Sequence, residues 1–163
     1  MKSDSRSTLE GSIAPQFFLP DHEGKWMTLE DFTKDGPVML VFYPGDFTMV
    51  CTKQLCSYED TLEEFKKYGV QVVGISANYP EEHTRFRTEY KFSFPLLTDV
   101  NRAVTKSYGV TSLFMMGGTS RAVFLIAKDS KILYRYVEPT TITFRRPTEL
   151  LEKLRVLREA GKI

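Results

Sequence analysis

Short unbroken apolar runs alternate with longer stretches of helical period along this chain. Residues 38–43 (VMLVFY) form a continuous run of β-forming side chains, closed by Pro44-Gly45, and read as one buried strand. Residues 70–76 (VQVVGIS) are a second such run, with the near-continuous hydrophobicity of a parallel strand covered on both faces. A shorter strand is predicted over 94–98. Two more, 121–127 (RAVFLIA) and 131–137 (KILYRYV), are separated by Lys128-Asp129-Ser130, a hairpin signature. Near the start, 17–19 and 25–28 flank a turn-rich connector and predict a small β-hairpin, followed by a turn of helix that Gly36-Pro37 ends. Helices are predicted from Cys51 to about Tyr68, stopped by Gly69; over 80–90, opened by Pro80 and Glu81-Glu82; and over 101–108, closed by Gly109. Pro147 starts the last helix, in which Leu150, Leu151, Leu154 and Leu157 share a face. Residues 113–120, with Met115-Met116-Gly117-Gly118, read as a loop, and 138–146 as irregular.

Crossovers through helices imply parallel strands, and the late hairpin adds antiparallel ones. The expected fold is therefore α/β: a mixed central sheet with helices on both faces and an N-terminal β-hairpin. Residues 1–12 read as a flexible tail, and 13–163 as a single domain, since 163 residues suffice for one full core but not two. The chain is 42% hydrophobic and 26% charged with a formal net charge of +1, and its Lys and Arg residues are dispersed. That balance gives no electrostatic footprint for nucleic acid. No apolar run nears the roughly 18–20 residues that span a bilayer, and the polar first residues lack the apolar core of a secretory signal. A cytoplasmic location is expected, where thiols are normally kept reduced and a pair of cysteines is more often catalytic, redox-sensing or inert than a structural staple.

Candidate chemistry lies in the loop after the first long strand. A strand feeding a loop feeding a helix leaves first-turn N–H groups unpaired, and Cys51, placed there, feels the positive end of the helix dipole, which favours its thiolate. Pro44 can shape and dry the loop without competing for hydrogen bonds, and the Thr48 hydroxyl can bond near the sulfur. On spacing alone the two read equally as a strand terminator and a helix cap. Cys56 is the only other cysteine. In an intact helix, Cα atoms five residues apart are separated by about 8–9 Å, whereas a disulfide wants less than about 7 Å. A Cys51–Cys56 bond therefore requires the first turns to unwind, which suits a transient disulfide; an inert helix-face cysteine is the other reading. Arg121 leads into an apolar strand, either as a permanent cation for a thiolate or as one surface arginine among many.

The stretch YPGDFTMVCTKQLC resembles the active-site segment of the peroxiredoxins, whose signature Pro-x-x-x-Thr/Ser-x-x-Cys is matched by Pro44, Thr48 and Cys51. A second cysteine five residues on is similar to the peroxiredoxin Q or bacterioferritin comigratory protein branch. Residues 11–32, 94–110 and 121–134 are similar to further segments of that family. The resemblance implies a thioredoxin-like fold and a thiol-dependent peroxidase serving antioxidant defence. In it, Cys51 is the peroxidatic nucleophile, Cys56 the resolving cysteine, Thr48 the hydroxyl partner, Pro44 the shield and Arg121 the polarising cation. Hydrogen peroxide or an organic hydroperoxide is the implied substrate and a thioredoxin-type dithiol protein the implied reductant, with no cofactor and no metal, in a monomer or weak homodimer. Two departures stand out: Met49 where many relatives have proline, and Gln54 where many have glutamate.

His22 and His83 are the only histidines, and both are expected on the surface, one in the hairpin turn and one on an exposed helix turn. No histidine follows His83, so the late-loop ligand of a copper-delivery site is missing, and zinc is equally short of ligands. A disulfide reductase would show Cys-x-x-Cys, which is absent. The remaining alternative is a non-enzymatic oxidation sensor or holder of unfolded clients, which would consume peroxide once without turnover. Phe92, Phe94 and Met115-Met116 read either as core or as an apolar rim.

Overall fold

The structure, a computed structural model, describes residues 8–113 and 116–163. Its centre is strand β3 (Val38–Phe42), which alternates side chains between two cores. Met39 and Val41, with Tyr43 just beyond the strand, enter one cluster, while Val38, Leu40 and Phe42 enter the other. This explains the unbroken apolar run: both faces are covered, so neither tolerates a polar residue. Strand β4 (Gln71–Ser76) runs parallel to β3 and β5 (Leu96–Thr98) parallel to β4; β8 (Ala122–Ile126) and β9 (Ile132–Val137) complete the sheet antiparallel, in the order β5-β4-β3-β8-β9. A separate hairpin, β1 (Phe18–Pro20) with β2 (Trp26–Thr28), precedes it and is joined to it by the Asp21–Leu97 bridge.

Helices cover both faces, as expected of a thioredoxin-like domain. On one side lie α2 (Met49–Asp60), α3 (Leu62–Lys67), α4 (Pro80–Tyr90) and α6 (Pro147–Glu159), which contribute Cys51, Leu55, Tyr58, Phe65, Phe86, Leu150, Leu154 and Leu157 to the first core. On the other lie α1 (Leu29–Thr33) and α5 (Ala103–Ser107), whose Leu29, Phe32 and Val104 join the second core together with Phe17 and Leu19 of the hairpin region. The leucine face of α6 is as predicted.

Several local expectations change. The single helix foreseen from Cys51 to Tyr68 is broken at Thr61, whose hydroxyl donates back to the Ser57 carbonyl at 2.9 Å and competes with the helical ladder. The stretch 113–120, read as a loop, includes one strand of a short antiparallel pair, β6 (Thr111–Ser112) with β7 (Gly118–Thr119). Phe92 and Phe94 are core residues, Met116 is exposed, and Met115 lies outside the described residues. At the N-terminus, residues 1–7 lie outside the described residues, but 8–12 are tied down. The buried Thr8 hydroxyl donates to the Tyr108 carbonyl at 3.0 Å, and Gly11 N–H to the Ile132 carbonyl at 2.8 Å.

Both histidine expectations are corrected. His83 has no exposed surface, and both its ring nitrogens find buried partners, while the His22 side chain is largely buried, which lowers its pKa.

Gly74 of β4 faces the Tyr43 ring, and a Cβ built there would stand 2.6 Å from Leu96 Cδ2 and 3.2 Å from Tyr43 Cε1. Gly74→Ala is expected to cost about 1–3 kcal/mol through overpacking, measured as a lower urea midpoint at unchanged slope; stability equal to the parent would show that the core gives way freely there.

Candidate active site

Pro44 and Gly45 end the strand because proline donates nothing to the ladder, and the chain then turns through Asp46 and Phe47. Phe47 takes φ +63°, an uncommon conformation for a non-glycine residue, and its ring packs against Phe86 at 5.0 Å between centroids. Thr48 then takes the N-cap position with extended backbone (φ −73°, ψ 147°). Its hydroxyl donates to the Gly45 carbonyl at 3.1 Å rather than capping the helix. Met49 is largely exposed.

Cys51 is the third residue of α2, so its N–H is one of the first-turn amides that the helix leaves unpaired. The side chain is completely buried in the first core. Its sulfur accepts a hydrogen bond at 3.0 Å from Arg121 Nη1. Arg121 lies just before β8, whose antiparallel pairing with β3 sets Ala122 opposite Phe42 and so brings the arginine to the end of β3 where the cysteine loop departs. Arg121 as a whole is 4% exposed. Nη1 also donates to Gln54 Oε1 at 2.8 Å, and Nη2 donates to the Thr141 carbonyl at 3.1 Å. Nε is buried with no hydrogen-bond partner, so the group keeps a donor in reserve.

The arginine is itself held in place. Gln54 Nε2 donates to the Tyr58 hydroxyl at 3.1 Å, and that hydroxyl donates to the Arg145 carbonyl at 2.7 Å. Gln54, Tyr58 and Cys51 thus stand three and four residues apart on one buried face of α2. Burial pushes the Tyr58 pKa up, keeping it a neutral donor. Beyond the arginine, buried Glu138 accepts from Thr143 Oγ1 at 2.8 Å and Arg145 Nε at 3.0 Å, which fixes the segment carrying Thr141. Pro44, Leu113, Arg121, Glu138 and Pro139 line a cleft of about 630 Å³ that reaches the arginine and the proline beside the loop.

Cys56 is half-buried in the same intact helix, and both cysteines are free thiols. Burial pushes its pKa up, and the nearby Asp60 and Glu59 carboxylates add to the rise. The wound helix keeps the two sulfurs on different faces, one among core side chains and one at its margin.

The geometry therefore brings Cys51 and Arg121 into direct contact, sets Pro44 on the adjoining wall, and puts Thr48 one turn ahead of the sulfur with its hydroxyl turned to Gly45. It leaves Cys56 apart. Sequence reasoning passed over Tyr58, although its spacing of four from Gln54 was a usable signal. It also passed over the Thr141 carbonyl, which no side chain announces. Among the described residues no cluster of three or more His, Cys, Asp or Glu is placed to hold a metal ion, and no helix is long and apolar enough to cross a membrane.

Residues 11–135 match the AhpC/TSA family. Peroxiredoxin Q, chloroplastic, from Oryza sativa subsp. japonica is 39% identical over 127 residues, 78% of this chain, and the chain spans only 58% of that relative. Peroxiredoxin Bcp from Escherichia coli (strain K12) is 41% identical over 127 residues, 75% of this chain and 81% of the relative. Among solved structures, peroxidoxin BcpB from Mycobacterium tuberculosis superposes with a TM-score of 0.80 at 30% identity, covering 92% of this chain and 96% of that one.

The surroundings of Cys56 generate a pH expectation. In Cys51→Ser, alkylation of the remaining thiol by iodoacetamide should follow a titration displaced above that of a free cysteine, because the folded site disfavours the thiolate. A midpoint at or below the ordinary thiol value would show that burial and the two carboxylates do not govern this sulfur.

Proposed function

Because the chain belongs to the AhpC/TSA family, with peroxiredoxin Q and Bcp relatives, we propose that it is a thiol-dependent peroxidase that reduces hydrogen peroxide and alkyl hydroperoxides. The observation that carries the reading is the buried Arg121–Cys51 contact at 3.0 Å. A thiolate is acceptor-only, and a guanidinium that cannot lose its proton is the partner that suits it. The Cys51 thiolate attacks one oxygen of the peroxide; the S–O bond forms as the O–O bond breaks, and the leaving oxygen departs as water or alcohol after taking a proton. Cys51 is oxidised to the sulfenic acid. The Arg121 donors and the first-turn amides face charge that develops on oxygen. Thr48, its O–H donating to the Gly45 carbonyl, keeps lone pairs to accept a hydrogen bond from the peroxide, and Pro44 excludes water from the adjoining wall.

The Cys56 thiolate then attacks the Cys51 sulfur, the sulfenic oxygen leaves as water, and an intramolecular disulfide forms once α2 unwinds. A thioredoxin-type dithiol protein returns both to thiols. All the residues named come from one domain, 13–163, of one chain, so a monomer suffices and a weak homodimer would add no group. A reducing compartment, here the cytosol, suits the cycle. The chain's own residues supply the chemistry with neither metal nor cofactor, in antioxidant defence.

With a thioredoxin recycling system, Cys51→Ser should abolish peroxide consumption, and retained turnover would place the nucleophile elsewhere. Cys56→Ser should consume about one equivalent and stall, whereas normal cycling would remove it as the resolving residue. Arg121→Ala should lower the rate of Cys51 oxidation by about a hundredfold, read in single-turnover peroxide consumption, and an unchanged rate would remove the guanidinium from the reaction.

A further inference from the structure

A second buried polar line lies on the far side of the cysteine loop from Arg121, and none of its members reacts in the cycle above. Asp46, in the loop itself, accepts from the Tyr43 hydroxyl at 2.6 Å through Oδ1 and meets His83 Nδ1 at 2.7 Å through Oδ2. The side chains of Asp46 and His83 are both fully buried. His83 Nε2 lies 3.1 Å from the Leu97 carbonyl, which can only accept, so that nitrogen carries a proton. The Asp46 N–H donates to Asn78 Oδ1 at 2.9 Å, and that amide is fixed by Ser76 Oγ at 2.9 Å and by Glu82 Oε2 at 2.7 Å.

We propose that His83 is a positioning residue: by holding Asp46 it fixes the loop 44–48 for peroxide attack at Cys51 and keeps that loop out of the unwinding that brings Cys51 to Cys56. The proposal rests on the peroxidase reading. Three features carry it. The residue after Asp46, Phe47, has φ +63°, a conformation that non-glycine residues hold only when their surroundings dictate it. Those surroundings are α4, which supplies His83 for Asp46 and Phe86 for the Phe47 ring, three residues apart on one helix face. Gly45, on the other side of Asp46, presents the carbonyl that orients the Thr48 hydroxyl. A loop released from His83 therefore loses the Thr48 geometry and gains the freedom that disulfide formation needs. Attack and resolution shift in opposite directions, and it is the contrast between two variants of the same residue that separates this from a general loss of stability.

Two isosteric variants separate the bonds. In His83→Asn the amide nitrogen stands where Nδ1 stood and keeps the Asp46 link, whereas in His83→Gln it stands where Nε2 stood and keeps only the Leu97 carbonyl. Single-turnover peroxide consumption and mass spectrometry of the disulfide are measured for each, with amide hydrogen exchange over residues 45–51. His83→Gln should slow Cys51 oxidation about tenfold or more, speed disulfide formation and speed exchange in the loop. His83→Asn should match the parent in all three. Asp46→Ala, which breaks the link from the loop side, should reproduce the glutamine pattern if His83→Gln folds poorly. Equal losses in both histidine variants, or no loss in either, would overturn the proposal. Failure of the parent itself to consume peroxide would sink the peroxidase reading alone, and the exchange comparison would still decide whether His83 holds the loop.

Discussion

A buried sulfur donated to by a buried guanidinium is the interaction on which the rest of this structure depends. The guanidinium is not stable there alone: an uncompensated charge out of water costs several kcal/mol, and Arg121 is 4% exposed while Cys51 has no exposed surface. Much of the surrounding structure keeps the two groups in register. Gln54, Tyr58 and the Thr141 carbonyl hold the arginine, Glu138 and Arg145 hold the segment that carries Thr141, and the antiparallel pairing of β3 with β8 brings arginine and cysteine loop to the same end of the sheet.

The proposed cycle asks the same helix for two incompatible things. Wound, α2 presents Cys51 to the arginine and the unpaired amides of its first turn, and it separates the two sulfurs by about 8–9 Å between Cα atoms. Unwound, it lets them meet. The anchors sit on both sides of the part that must open: Asp46 and Phe47 before it, through α4, and Tyr58 after it, through the Arg145 carbonyl. Local opening confined between fixed points costs far less than global unfolding, which would let the proposed cycle run within an otherwise folded domain. The raised pKa of Cys56 fits this division, since its burial and the carboxylates of Glu59 and Asp60 belong to the wound form.

Gln54 shows how a substitution in the motif is absorbed. A glutamate beside Arg121 would bring a charge; glutamine instead uses both ends of its amide, accepting from the arginine and donating to Tyr58. The hydrogen-bond chain is complete without a second buried charge, and Arg121 keeps its own for the sulfur. Met49 is the opposite case. Where a proline would stiffen the first turn, an exposed side chain leaves the loop to be held by Asp46 and Phe47.

Local pattern alone determined the two central strands, the hairpins at either end, the proline-started helices and the placement of Cys51 at a helix start, because these follow from apolar periodicity and from residues that fix or free the backbone over a few positions. The spacing of Pro44, Thr48 and Cys51 is as local, and matches the peroxiredoxin signature, but on spacing alone the first two read equally as a strand terminator and a helix cap. Tertiary structure alone decided that Arg121 reaches the sulfur, that a backbone carbonyl at Thr141 fixes it, and that His83 is buried against Asp46 rather than exposed. Each of those contacts joins residues 20 to 70 positions apart. At that separation a side chain's partner is set by strand register and helix docking, and the residues flanking it carry no trace of the choice.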